Sequence, residues 1–161
     1  MKRLYLLRHA DTLWNSPSGL DVDRPLSNTG KKEATWIGNR LKKEPKIQAV
    51  LSSTAQRAKE TCTIVTDIIS FDKNSIKWDN ELYHAKPEII MEKIMEVNSI
   101  IQTLLVICHN PGLSDFASSL SIQVPYSLPT AGLFIIDVNT SDWKDFASAT
   151  KEFISFEYPI I

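Results

Sequence analysis

The sequence predicts an α/β fold of three layers, a mostly parallel sheet with helices on both faces. Two observations carry that expectation. Short apolar runs alternate with segments of helical periodicity along the chain, in β-α-β-α order. The apolar runs are continuous and not polar on every second residue, the pattern of strands covered on both sides. A third observation bounds the size: 161 residues with neither an internal repeat nor a Gly/Ser linker read as one domain over 1–161.

The elements follow in order. Residues 3–8, with Leu4-Tyr5-Leu6-Leu7, read as the first strand. A polar, turn-rich stretch from Asp11 to Asn28 contains Pro17, Gly19 and Pro25. An irregular segment of that length inside a domain is more often functional than filler. Ala34, Ile37, Gly38 and Leu41 define one face of a helix over about 29–43, ended near Pro45. Ala49-Val50-Leu51-Ser52 is a short buried strand. Ala55, Ala58, Cys62, Val65 and Ile69 line a helix over about 54–69 that Ser53 or Thr54 could cap. Ile76-Lys77-Trp78 is a short strand, and Pro87 suits the first turn of a helix running to about Val97. Residues 103–108 form a strand, Pro111 starts a helix to about Leu120, and 133–138 and 152–156 are the last strands.

Composition narrows the function classes. The chain is 43% apolar and 23% charged with a net charge of −1, so no basic surface points to nucleic acid. No stretch approaches the roughly 20 apolar residues of a membrane helix. The apolar run after Lys2 and Arg3 is too short for a secretory signal, which makes a cytoplasmic location the default expectation. Cys62 and Cys108 read as core residues and not as a disulfide. The four tryptophans, Trp14, Trp36, Trp78 and Trp143, are scattered and read as packing residues.

The chemistry lies at strand ends. Arg8-His9-Ala10 closes the first strand, setting a cation and an imidazole where open α/β sheets place their ligands. His109-Asn110 closes Thr103–Cys108, so parallel neighbouring strands would bring both imidazoles to one carboxyl edge. Arg57 falls in the first turn of the helix after Ser52, where the dipole disfavours a cation unless an anion sits close by. Two arginines and two histidines at one sheet edge could hold a phosphoryl group, whose transferring state spreads charge over three oxygens.

These residues also carry a resemblance. Arg8-His9-Ala10-Asp11-Thr12-Leu13-Trp14-Asn15 resembles the Arg-His-Gly/Ala signature of the histidine phosphatase (phosphoglycerate-mutase-like) superfamily. Asp23-Arg24-Pro25-Leu26-Ser27-Asn28-Thr29-Gly30, followed by Glu33-Ala34, looks like the segment after it. Ser52-Ser53-Thr54-Ala55-Gln56-Arg57-Ala58-Lys59-Glu60-Thr61 is similar to the second block, and His109-Asn110-Pro111-Gly112-Leu113 to the third. The short length and the phrases Glu81-Leu82-Tyr83-His84-Ala85 and Pro129-Thr130-Ala131-Gly132 look most like the SixA-type phosphohistidine phosphatases.

The resemblance implies His9 as a transiently phosphorylated nucleophile, with Arg8, Arg57 and His109 on the phosphoryl oxygens. It implies no metal and no cofactor. The partner it implies is a phosphorylated protein carrying phosphohistidine, or a small phosphorylated substrate. Nearby cations are expected to depress the His9 pKa. Asn15, Asn110, Glu81 and His84 are further candidates for contact with the substrate. Asn15 either meets the phosphoryl group or caps the turn at Pro17, and His84 either lines the pocket mouth or lies on the surface.

One departure stands out: the family's glutamate-glycine setting for a leaving-group acid is missing between Arg57 and His109. Glu81 is the remaining candidate there, while Glu88, Glu92 and Glu96 read as a solvated helix face. Three functions stay open. They are a protein phosphohistidine phosphatase, a small-molecule phosphomonoesterase using Glu81, and a non-catalytic phosphoprotein-binding module.

Overall fold

The computed structural model describes residues 1–161. Six strands form one sheet: β1 (Lys2–Arg8), β2 (Ala49–Ser53), β3 (Lys77–Asp79), β4 (Thr103–Cys108), β5 (Leu133–Val138) and β6 (Lys151–Glu157). Their order across the sheet is β3-β2-β4-β1-β5-β6. The ladders among β1, β2, β3 and β4 are parallel, and β5 pairs antiparallel with both β1 and β6. Only β5 therefore runs against the others. Four helices complete the fold: α1 (Asn28–Leu41), α2 (Gln56–Ile68), α3 (Pro87–Met95) and α4 (Gly112–Leu120). None is long and apolar enough to cross a membrane.

The continuous apolar runs have the cause the sequence suggests. Along β1, Leu4 and Leu6 enter one core cluster and Tyr5 and Leu7 the other, because successive side chains leave opposite faces. Leu104 and Val106 of β4 likewise join the first cluster, and Leu105 and Ile107 the second. Ile90, Ile94, Leu113 and Phe116 of α3 and α4 cover the first face; Ala34, Ile37, Ala58, Cys62 and Val65 of α1 and α2 cover the second. Truncating such a fully buried Leu or Ile costs about 2–5 kcal/mol. Both cysteines are free and buried in these clusters.

Element ends deviate from expectation for local reasons. Ser27 caps α1 by accepting the Gly30 N–H at 3.0 Å, and the helix stops at Leu41, short of Pro45. Neither Ser53 nor Thr54 caps α2. Ala55 is the extended residue before it, and of the backbone amides there the Ser53 hydroxyl reaches that of Ala55, at 3.2 Å. Pro87 opens α3 as expected, but Pro111 stands just outside α4 as its N-cap, after a cis peptide with Asn110. Two glycines permit close approaches at the sheet's carboxyl edge. A Cβ on Gly30 would lie 2.0 Å from the Asp11 carbonyl oxygen, and one on Gly112 would lie 1.8 Å from that of Ala85. Of the tryptophans only Trp143 is a core residue; Trp14 is 88% exposed because it sits on the irregular segment.

Candidate active site

β1 and β4 run side by side with Arg8 opposite Cys108. One residue on, the His9 N–H donates to the Cys108 carbonyl at 3.3 Å, so both strands release a histidine at the same level. The two rings lie 5.1 Å apart between centroids, and both are buried.

The bonds each ring makes assign its chemistry. His9 Nδ1 lies 2.8 Å from the Ala10 carbonyl oxygen. A carbonyl only accepts, so Nδ1 carries the proton and Nε2 keeps its lone pair. Burial above all holds His9 down to a pKa of about 3, with repulsion from Arg8, Arg57 and Arg24 adding to it. The cations expected to depress it do so, but as the smaller cause. His109 is held down to about 2, again chiefly by burial and then by His9 and Arg57. Its Nε2 lies 2.7 Å from the Ser53 hydroxyl, while Nδ1 is buried without a partner. Arg8 donates through Nη1 to the Leu128 carbonyl at 2.8 Å and leaves Nε buried without a partner.

Arg57 is the second residue of α2 and is 4% exposed. The anion that offsets its unfavourable place in the dipole belongs to the chain itself. Arg57 Nη1 donates to the Asp21 carbonyl at 2.8 Å and Nη2 to its carboxylate at 3.0 Å. Asp21 also accepts from the Tyr83 hydroxyl at 2.6 Å and from Arg24 at 3.2 Å, and lies 3.5 Å from His84 Nε2. These donors, Tyr83 first, hold the Asp21 carboxyl well below the usual carboxylate range. Arg8, His9, Arg57, His109, Asp21, His84 and Asn110 all line one cavity of about 350 Å³, together with Asp11, Thr12, Trp14, Arg24 and Thr130.

Two of the expected substrate contacts lie elsewhere. Asn15 is exposed and lines an adjoining cleft of about 410 Å³, because the turn from Ser16 to Leu20 carries it outward. Glu81 is exposed and does not line the cavity; Lys93 of α3 holds its carboxylate outside. Asn110 does line it, yet its amide is committed to Leu128 and Ser127 and its oxygen to Ser114. Its visible role is to hold the loop whose Leu128 carbonyl fixes Arg8. His84 stands at the mouth, half-exposed in a left-handed backbone (φ 53°), a conformation that costs a non-glycine residue about 1–2 kcal/mol. It stacks against Tyr83 at 4.0 Å.

Sequence reasoning missed Asp21, Arg24, Tyr83 and Ser53. A faint signal existed: Asp21 and Arg24 share the overlong irregular segment, and Tyr83 precedes His84. The meeting of Asp21 with Arg57, 36 residues later, and of Tyr83 with Asp21 is tertiary.

The buried neutral histidines predict an acid-sensitive fold. Their folded pKa values lie below the unfolded value of about 6.5. Their contribution to stability is therefore complete above that pH and lost as pH falls towards about 3 for His9 and 2 for His109. Each withholds about 1.4 kcal/mol per pH unit, so the pair should remove about 4 kcal/mol between pH 7 and 5. Urea titrations at both pH values check this: a His9→Asn/His109→Asn double variant should lose markedly less stability than the natural chain over the same interval.

Comparison with known proteins adds four findings. The family model for the histidine phosphatase superfamily (branch 1) matches residues 4–82. An uncharacterized protein of Mycobacterium tuberculosis is 30% identical over 165 residues, covering 95% of this chain and 99% of that protein. Among solved structures, a candidate phosphohistidine phosphatase SixA from Agrobacterium tumefaciens superposes with a TM-score of 0.79 at 27% identity, over 98% of this chain and 99% of that one. The protein histidine phosphatase SixA complexed with tungstate superposes with a TM-score of 0.81 at 22% identity, over 97% and 96% of the two chains.

Proposed function

The chain belongs to the histidine phosphatase superfamily, and from that premise we propose that it hydrolyses protein phosphohistidine, metal-independently, through a phosphorylated His9. His9 Nε2, the nitrogen with the free lone pair, attacks phosphorus as the substrate's N–P bond breaks and its electron pair leaves with the departing imidazole. Arg8, Arg57 and His109 hold the oxygens on which charge develops. Water then attacks the phosphorus carried by His9, the new O–P bond forms as the P–N bond breaks and returns its pair to Nε2, and both water hydrogens leave on the released phosphate.

One observation carries this reading. Arg8 Nε and His109 Nδ1 are the two buried side-chain polar atoms of the chain that lack a partner, and both belong to residues lining the cavity beside His9. Leaving a buried polar group unpaired costs about 1–3 kcal/mol, so two such groups on residues of one cavity support a site kept for a ligand. A pure binding module has no need of a ring kept unprotonated with Nε2 free. The phosphomonoesterase reading loses its acid, because Lys93 holds Glu81 away from the cavity.

The test is a comparison of turnover on a phosphohistidine peptide, p-nitrophenyl phosphate and sugar phosphates. The peptide should be cleaved fastest. Glu81→Gln should change that rate less than about threefold, far short of the 10²–10⁴-fold typical of losing a general acid. A sugar phosphate turned over faster than the peptide, with strong dependence on Glu81, would overturn the substrate assignment.

A further inference from the structure

Neither of the other nearby carboxylates is placed to give a leaving group a proton: Glu81 faces away, and Asp11 is engaged by the Ser27 hydroxyl at 2.5 Å. Asp21 is the carboxylate closest to the basic groups, and its donors keep it ionised. It cannot donate a proton, but it is well made to accept a hydrogen bond. Its Oδ2 meets Arg57, Tyr83 and His84, whereas Oδ1 accepts only Arg24, at 3.2 Å. A carboxylate has about four acceptor sites, so Oδ1 retains one. The side chain is 44% exposed and stands in the wall shared by the cavity and the adjoining cleft, where a leaving group would pass.

Pairing with Arg57 gives Asp21 a structural place, and as a fixed anion beside a phosphoryl site it also repels the phosphoryl charge. We propose that Asp21 is the residue that selects phosphohistidine over phosphoesters, by binding the protonated second ring nitrogen of the leaving imidazole. This rests on the reading of the site given above and deepens it. Phosphohistidine has a second ring nitrogen that takes up a proton, which makes the ring a cation attached to phosphorus. His9 Nε2 forms its bond to phosphorus, the substrate's N–P bond breaks with its pair going to the ring, and the ring departs neutral with its proton still on the second nitrogen. No proton moves in the step, so no acid is required. The carboxylate favours the cationic form that leaves well. A phosphoester offers Asp21 no cation and meets only its repulsion.

The experiment measures kcat/KM of the full chain and of Asp21→Asn on a phosphohistidine peptide and on p-nitrophenyl phosphate. Loss of the carboxylate should lower the peptide value at least tenfold and raise the aryl phosphate value severalfold, and Asp21→Glu should recover part of the peptide preference. A role confined to holding Arg57 predicts equal losses on both substrates, and that result overturns the proposal, as does an unchanged ratio. A natural chain that leaves the phosphohistidine peptide uncleaved overturns both this proposal and the function it rests on. A natural chain that prefers the peptide, with the preference kept in Asp21→Asn, overturns this proposal alone.

Discussion

Replacing His9 with alanine is expected to reduce turnover by about 10⁴-fold or more, the scale of losing a covalent nucleophile. The fold should survive. His9 sits past the end of β1 and belongs to neither core cluster, and alanine removes a buried ring that must stay neutral to be tolerated. Acid-labile incorporation of phosphate from a labelled substrate, seen in the natural chain after rapid quenching, should vanish in His9→Ala. Trapping a phosphoenzyme with His9→Ala intact would show that another residue is the nucleophile. His109→Ala separates the two rings. It should slow both chemical steps and still form a phosphoenzyme, because Nε2 of His9 remains.

The arginines carry the second large effect. Arg57→Ala or Arg8→Ala should each lower kcat by about 10³-fold or more, within the range for arginines that neutralise a transferring phosphoryl group. Lysine should restore little, since a point charge can reproduce neither a bidentate grip on phosphoryl oxygens nor the two-pronged hold that Arg57 Nη1 and Nη2 keep on Asp21. The effect of Arg8 on stability should have the opposite sign. Arg8 is disfavoured by burial and by the charge of Arg57, and its Nε is unpaired. Arg8→Met should therefore unfold at equal or higher urea concentration than the natural chain while losing activity, as groups strained for function do. An Arg8→Met variant that is markedly less stable would assign Arg8 to the architecture instead. Isothermal titration with tungstate adds an independent readout, in which both arginine variants should lose most of the binding.

What the sequence determines by itself follows from periodicity and chain order. The continuous runs at Leu4–Leu7 and Leu104–Ile107 are legible because both faces of their strands are covered, so every residue is selected to be apolar. The strand ends at Arg8-His9 and His109-Asn110 are legible for the converse reason: ionisable residues interrupt apolar runs where packing alone would not place them. Given parallel neighbours, the meeting of His9 and His109 then follows from register. The order of β5 and β6 at the far edge, with β5 reversed, is less legible, since an apolar run such as Leu133–Val138 reads the same in either direction.

The tertiary structure decides the rest of the cavity, because it is built by loops, and loop positions are set by contacts distant in sequence. Asp21 becomes the partner of Arg57 only when the irregular segment folds across α2, and Tyr83 and His84 join it from the turn after β3. The same dependence moves Asn15 into the adjoining cleft and turns Glu81 towards Lys93. A residue type and its spacing reveal chemistry where the backbone is regular, since a strand's register is itself a coordinate. In a loop, a side chain's direction depends on hydrogen bonds made across tens of residues, and no local pattern records them.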